Sequence, residues 1–186
     1  MSDLNNKNYS IFEIAMNLTA ACLVSGAIIA GTYFITAPIA AQNNELIKNK
    51  AMQELVTDAD KFTPVKGKKQ WYTAQKNGKA LAYVVESESK GYGGAIKMLV
   101  AVSPDGKVID YNILSHKETP GLGDATDKEP FKGQFKDKTV EALAVVKDPS
   151  DTENIQAITG ATISSRAVTK GVKESVEKVE QYVGGK

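Results

Sequence analysis

Four hydroxyls crowd the run Thr159-Gly160-Ala161-Thr162-Ile163-Ser164-Ser165, directly ahead of a segment in which Val168, Val172, Val176, Val179 and Val183 recur at helical spacing. A helix start leaves N–H groups without internal acceptors and carries the positive end of the backbone dipole. Two chemistries suit such a place. The hydroxyls can cap the open amides, with Gly160 making the entry turn. Alternatively the amides can hold a phosphate, with Gly160 and Ala161 small enough to let it come close. No His or Lys stands near Thr162 in sequence to serve as a base, so its hydroxyl is not a self-activating nucleophile.

Two further segments combine glycine with groups able to do chemistry: Ser115-His116-Lys117-Glu118-Thr119-Pro120-Gly121-Leu122-Gly123 and Gly91-Tyr92-Gly93-Gly94. By themselves they read as surface turns, with Glu118 a solvated carboxylate and Tyr92, like Trp71, a packing aromatic. One cysteine, Cys22, and one histidine, His116, exclude an intrachain disulfide, a cysteine metal site, and zinc or haem held by that pair. A hydrolase built on His116 and Glu118 would lack both a serine elbow and a second histidine. With 23 Lys+Arg against 22 Asp+Glu and no basic stripe, nucleic acid is not an expected partner.

The elements that must position these groups follow from hydrophobic patterning. Residues 1–13 form a polar tail, and 14–39 an uncharged stretch long enough to cross a bilayer, which Pro38 is expected to close. Charge on the flanks, Lys7 against Lys48 and Lys50, leaves its orientation open. Residues 40–60 read as a connecting helix and 61–186 as the folded domain. Strands are expected at 70–74 and 81–85 around the Asn77-Gly78 turn, and at 96–102 and 108–114 around Ser103-Pro104-Asp105-Gly106, with a last one at 140–146. The valine-striped helix begins at Ser164. The class is α+β: a transmembrane helix, then an antiparallel sheet with flanking helices.

Taken together, the Thr159–Ser165 run, the Glu118-Thr119-Pro120-Gly121-Leu122-Gly123 loop, the Gly91–Gly94 element, and Phe131 and Phe135 after the loop closely resemble the FMN-binding domain family over nearly the whole chain. Gln156 departs from it, since many members have Asp there. The resemblance implies FMN linked covalently through its phosphate to Thr162 by a dedicated flavin transferase. Around it would lie Thr159, Gly160, Ala161, Ser164, Glu118, Thr119, Gly121, Leu122 and Gly123. It implies no catalytic residue and no turnover by the chain alone. Length and the single anchor are most similar to the G subunit of Rnf-type ferredoxin:NAD+ complexes, which works with other membrane, iron–sulfur and flavin proteins. The C subunit of the sodium-translocating NADH:quinone oxidoreductase is the nearest relative. The implied place is the inner (plasma) membrane, with the soluble domain on the extracytoplasmic side. An anchored scaffold whose threonines only cap a helix is the rival from another class.

Overall fold

The computed structural model describes residues 10–185, so most of the 1–13 tail, Lys7 included, lies outside the described residues. The chain divides into two units, one ending at Leu46 and the other beginning at Ile47. In the first, helix α1 (Ile11–Leu55) starts at Ile11 and exposes Ile14, Leu18, Leu23, Ile28, Phe34 and Ile35 all round, as a helix made for an apolar solvent does. It is long and apolar enough to cross a membrane. Contrary to expectation it runs through Pro38 without ending there. A proline removes one inter-turn hydrogen bond, here the one to the Phe34 carbonyl, and the helical residues on either side carry the chain across that break. Thr36 Oγ1 donates to the Thr32 carbonyl at 2.8 Å, and Thr32 Oγ1 to that of Ile28 at 2.8 Å.

The second unit is built on an antiparallel meander of five strands in sequence order: β1 (Lys61–Pro64), β2 (Trp71–Lys76), β3 (Lys79–Lys90), β4 (Ala95–Val102) and β5 (Val108–Ser115). Asn77 and Gly78 take φ of 50° and 76°, the left-handed pair that a tight hairpin needs. Alternation sends Tyr83, Val85, Met98, Val100 and Val102 to one face and Ala82, Val84, Leu99 and Ala101 to the other. Helices cover both faces, which is why Leu99-Val100-Ala101-Val102 is apolar without a break. The end of α1 (Ala51, Met52, Leu55) packs on one side, and α2 (Thr162–Gly184) on the other, through its valine stripe. On that side Gly171 lets the helix approach Met98, since a Cβ there would lie 3.0 Å from the methionine methyl.

Three differences from the sequence reading have local causes. Strand β3 runs on to Lys90 through Glu86-Ser87-Glu88-Ser89, because Ser87 and Ser89 fill inward positions opposite Met98 and Ile96, where an alternating polar run gave no apolar signal. Strand β1, short and mostly polar, was not expected at all. The 140–146 strand shrinks to a 3₁₀ turn at Val140–Ala142 and a two-residue β6 (Val145–Val146), which pairs in parallel with β7 (Ile155–Gln156). Gln156 is occupied there. Its side-chain amide donates to the carbonyls of Asp148 and Asp151, and its N–H to Gln134 Oε1 at 2.7 Å.

Candidate functional site

Antiparallel pairing brings the β3–β4 turn and the segment after β5 to one end of the sheet, since Lys90 pairs with Ala95 and Lys97 with Ser115. The start of α2 joins them. Between these three segments lies a cleft of about 450 Å³, within the usual range for cofactor sites. From the loop after β5 it takes Glu118, Thr119, Leu122 and Gly123; from the helix start, Gly160, Ala161, Thr162, Ile163 and Ser164; and from the β3–β4 turn, Tyr92. Eight of the ten residues expected around a cofactor therefore meet in one cavity, while Thr159 and Gly121 do not line it. Tyr92 and Ile163 were not expected there. Tyr92 is 71% exposed, not packed, and Ile163 falls off the valine stripe at 55% exposed. A large aromatic isolated among glycines, and an isoleucine out of phase with its helix, were the available signals.

The hydroxyls at the helix start have different roles. The N-cap residue is Ala161, and no side chain caps it. The first inter-turn bond runs from Ser165 N–H to the Ala161 carbonyl at 2.9 Å, so the amides of Thr162, Ile163 and Ser164 are those a helix leaves open. Ser165 looks backward instead: its Oγ donates to the Ala161 carbonyl at 2.9 Å and accepts from Ile158 N–H at 3.1 Å, clamping the entry turn. Gly160 makes that turn at φ 82°, with Leu122 close enough that a Cβ would meet its Cδ2 at 3.3 Å. Thr162 is half-buried, and its hydroxyl bonds nothing among the described residues.

Glu118 is not the solvated carboxylate that its loop alone suggests, being only 6% exposed. Its oxygens accept from the Ser164 hydroxyl, from Gly93 N–H at 2.9 Å and from Tyr92 N–H at 3.2 Å. Burial works against its charge, but the Ser164, Gly93 and Tyr92 donors and the nearby His116 outweigh burial and hold the carboxyl below the usual glutamate range. His116 Nδ1 in turn accepts the Glu118 N–H at 3.1 Å. The glycines are packed round this knot: a Cβ on Gly91 or Gly123 would strike the Glu118 side chain, and one on Gly93 the Lys117 carbonyl. Gly91–Gly94 is thus a backbone platform for Glu118. Below the loop, the Thr126 hydroxyl donates to the Gly123 carbonyl at 2.6 Å, and the buried Tyr111 hydroxyl donates to the Thr126 carbonyl. Burial, with Asp127 and Asp110 nearby, raises the Tyr111 phenol far above its ordinary range, so it stays a donor. Phe131 and Phe135 belong to the core beside Tyr111 and not to the cleft.

The arrangement suits a ligand with an anionic end and a flat apolar body. Open amides and the positive helix end meet the anion, while Leu122, Tyr92 and Ile163 supply apolar surface. The lining has no Lys, Arg or His, so the helix start must do the anion's work.

A family model described as "FMN-binding domain" matches residues 91–177. The chain is similar to the G subunit of the proton-translocating ferredoxin:NAD(+) oxidoreductase complex of Clostridium ljungdahlii, 64% identical over 95% of this chain and 96% of that one. It is also similar to the G subunit of the Na(+)-translocating complex of Acetobacterium woodii, 31% identical over 90% of each. Among solved structures, NqrC of Shewanella oneidensis superposes over 70% of this chain and 74% of its own, with a TM-score of 0.52 at 19% identity, which is likeness of fold.

Proposed function

The chain belongs to the G-subunit family of ion-translocating oxidoreductase complexes and carries that family's FMN-binding domain; from that premise we propose that it is an electron-transfer protein holding FMN covalently, through the phosphate, on Thr162. The observation that carries the linkage is the unengaged Thr162 hydroxyl beside the open amides of an uncapped helix, inside the cleft. The amides of Thr162, Ile163 and Ser164 would take the phosphate charge, and Leu122 with Thr119 would border the ring. When bound, the flavin supplies one- and two-electron chemistry, and the chain supplies binding, orientation and electrostatics.

Nothing in the lining is free to take the Thr162 proton, because Glu118 is ionised and fully engaged by its donors. Attachment therefore falls to a separate flavin transferase acting on FAD. There Thr162 would give its proton to the transferase as its Oγ1 bonds the flavin phosphorus and AMP departs. The intact mass of the full chain co-expressed with a flavin transferase should rise by one FMN less water, with the addition mapped to the peptide holding Thr162. An unmodified mass, or an adduct on another peptide, would sink this reading.

The similar proteins belong to multi-protein complexes, and we take α1 as this chain's anchor in the plasma membrane, with residues 47–186 on the extracytoplasmic side. A covalent tether would keep the flavin where free FMN is scarce, which is what favours that side. A periplasm-dependent reporter fused after Lys186 should be active; cytoplasmic reporter activity would reverse the orientation.

A further inference from the structure

Tyr92 is a large side chain of the cleft that the fold leaves without a partner among the described residues. It is 71% exposed, with no hydrogen bond or ring contact from its side chain among the described residues. Yet its backbone is held from several sides. Its N–H is held by Glu118 at 3.2 Å, the next N–H by the same carboxylate at 2.9 Å, and the turn is closed by Gly91 N–H to the Gly94 carbonyl at 2.7 Å. Gly91 and Gly93 on either side tolerate no Cβ, so the platform has one shape and points the tyrosine's Cα–Cβ bond one way. Exposed aromatics ordinarily ride on mobile or partly packed backbone. Here a rigid loop holds one at a cleft whose other apolar residues, Leu122 at 43% and Ile163 at 55%, are also left open. Three such side chains on three different segments form a wall that lacks only a flat apolar partner.

We propose that Tyr92 is a positioning residue for the flavin, its phenol ring packing against the isoalloxazine and shielding it from water. The inference rests on the flavin reading above and adds a contact to it. Rigidity is what makes the residue effective. The Glu118 knot fixes where the Cα–Cβ bond points before the cofactor arrives, so the backbone needs no ordering on contact. The ring is a phenol, an electron-rich face for an electron-poor heterocycle.

A phenol touching an excited flavin passes it an electron and takes it back without light being emitted, so contact quenches fluorescence. The full chain loaded by the transferase should therefore emit weakly when native and strongly after denaturation. In Y92F, which keeps the flat face but is a poor electron donor, native emission should rise several-fold, while iodide still reaches the ring slowly. In Y92A emission should rise as far and iodide quenching should steepen. Because the side chain is exposed and unbonded in the flavin-free chain, both variants should keep the wild-type melting temperature before loading, and emission is compared per unit of flavin mass. Equal native emission in all three proteins at equal loading would overturn the contact and leave Tyr92 as a surface for a partner protein. A wild-type chain with no flavin mass would overturn the flavin reading itself, and this contact with it.

Discussion

Thr162→Ala should give a chain with no flavin mass and no fluorescent band on a denaturing gel, whereas Thr159→Ala should keep both. Residue type alone does not separate the two threonines, but the family resemblance points to Thr162 and the turn at Gly160 divides them. Thr159 is exposed and outside the cleft, on the far side of the φ 82° turn. Thr162 is the first residue of α2, half-buried in the cleft, beside the amides that would take the phosphate charge. Since its hydroxyl bonds nothing among the described residues, the change to alanine should leave stability within about 0.5 kcal/mol of wild type, as for substitutions away from bonded features. That neutrality makes the test clean: lost flavin cannot be blamed on lost fold. Thr162→Ser, which returns a hydroxyl to the same atom position, should recover the adduct. Flavin retained in Thr162→Ala, or lost equally in Thr159→Ala, would refute the assignment.

Local signals carried the reading where the physics is local. Asn77-Gly78 named its hairpin because two consecutive left-handed residues select for those side chains, and the valine stripe named α2 because its period is the helix's own. The Thr159–Ser165 run marked the start of α2 that borders the cleft, but residue type alone did not divide the roles of its hydroxyls. That Ser165 clamps the entry turn while Thr162 stays unengaged depends on where one turn of helix points each hydroxyl. The burial of Glu118 was hidden for a different reason. Its partners lie 25 and 26 residues away on one side and 46 on the other, so a carboxylate among Pro and Gly looks solvated until the sheet brings its donors in. The glycines of Gly91–Gly94 were opaque for the same cause: they are small because Glu118 and the Lys117 carbonyl occupy the space beside them. Pro38 shows the converse, a strong local breaker overridden by the helix on either side.

Glu118→Gln should be the most damaging isosteric change near the cleft, and its effect should fade in acid. The carboxylate accepts from the Ser164 hydroxyl and two backbone amides, and a glutamine offers one oxygen where the fold requires two. Whichever way the new amide turns, it sets N–H against the N–H of Gly93 or of Tyr92, and the crowding at Gly91 and Gly123 leaves no room to swing away. One lost charge-assisted bond and one unsatisfied buried donor together cost about 3 kcal/mol at neutral pH. The carboxyl's folded pKa lies below its ordinary value of 4.5, so the folded state favours the ionised form. Its stabilisation is therefore complete above the unfolded value and drains away as pH falls through the depressed folded one. Thermal melts of wild type and Glu118→Gln between about pH 7 and about pH 3 should start well apart and converge only below that ordinary value. Melting temperatures that differ by a constant amount across the range would mean that the charge is idle and only shape matters. Because the knot fixes both the platform under Tyr92 and Ser164 in the first turn of α2, Glu118→Gln should also weaken flavin loading without touching Thr162. A partial adduct is expected, in contrast to the complete loss in Thr162→Ala.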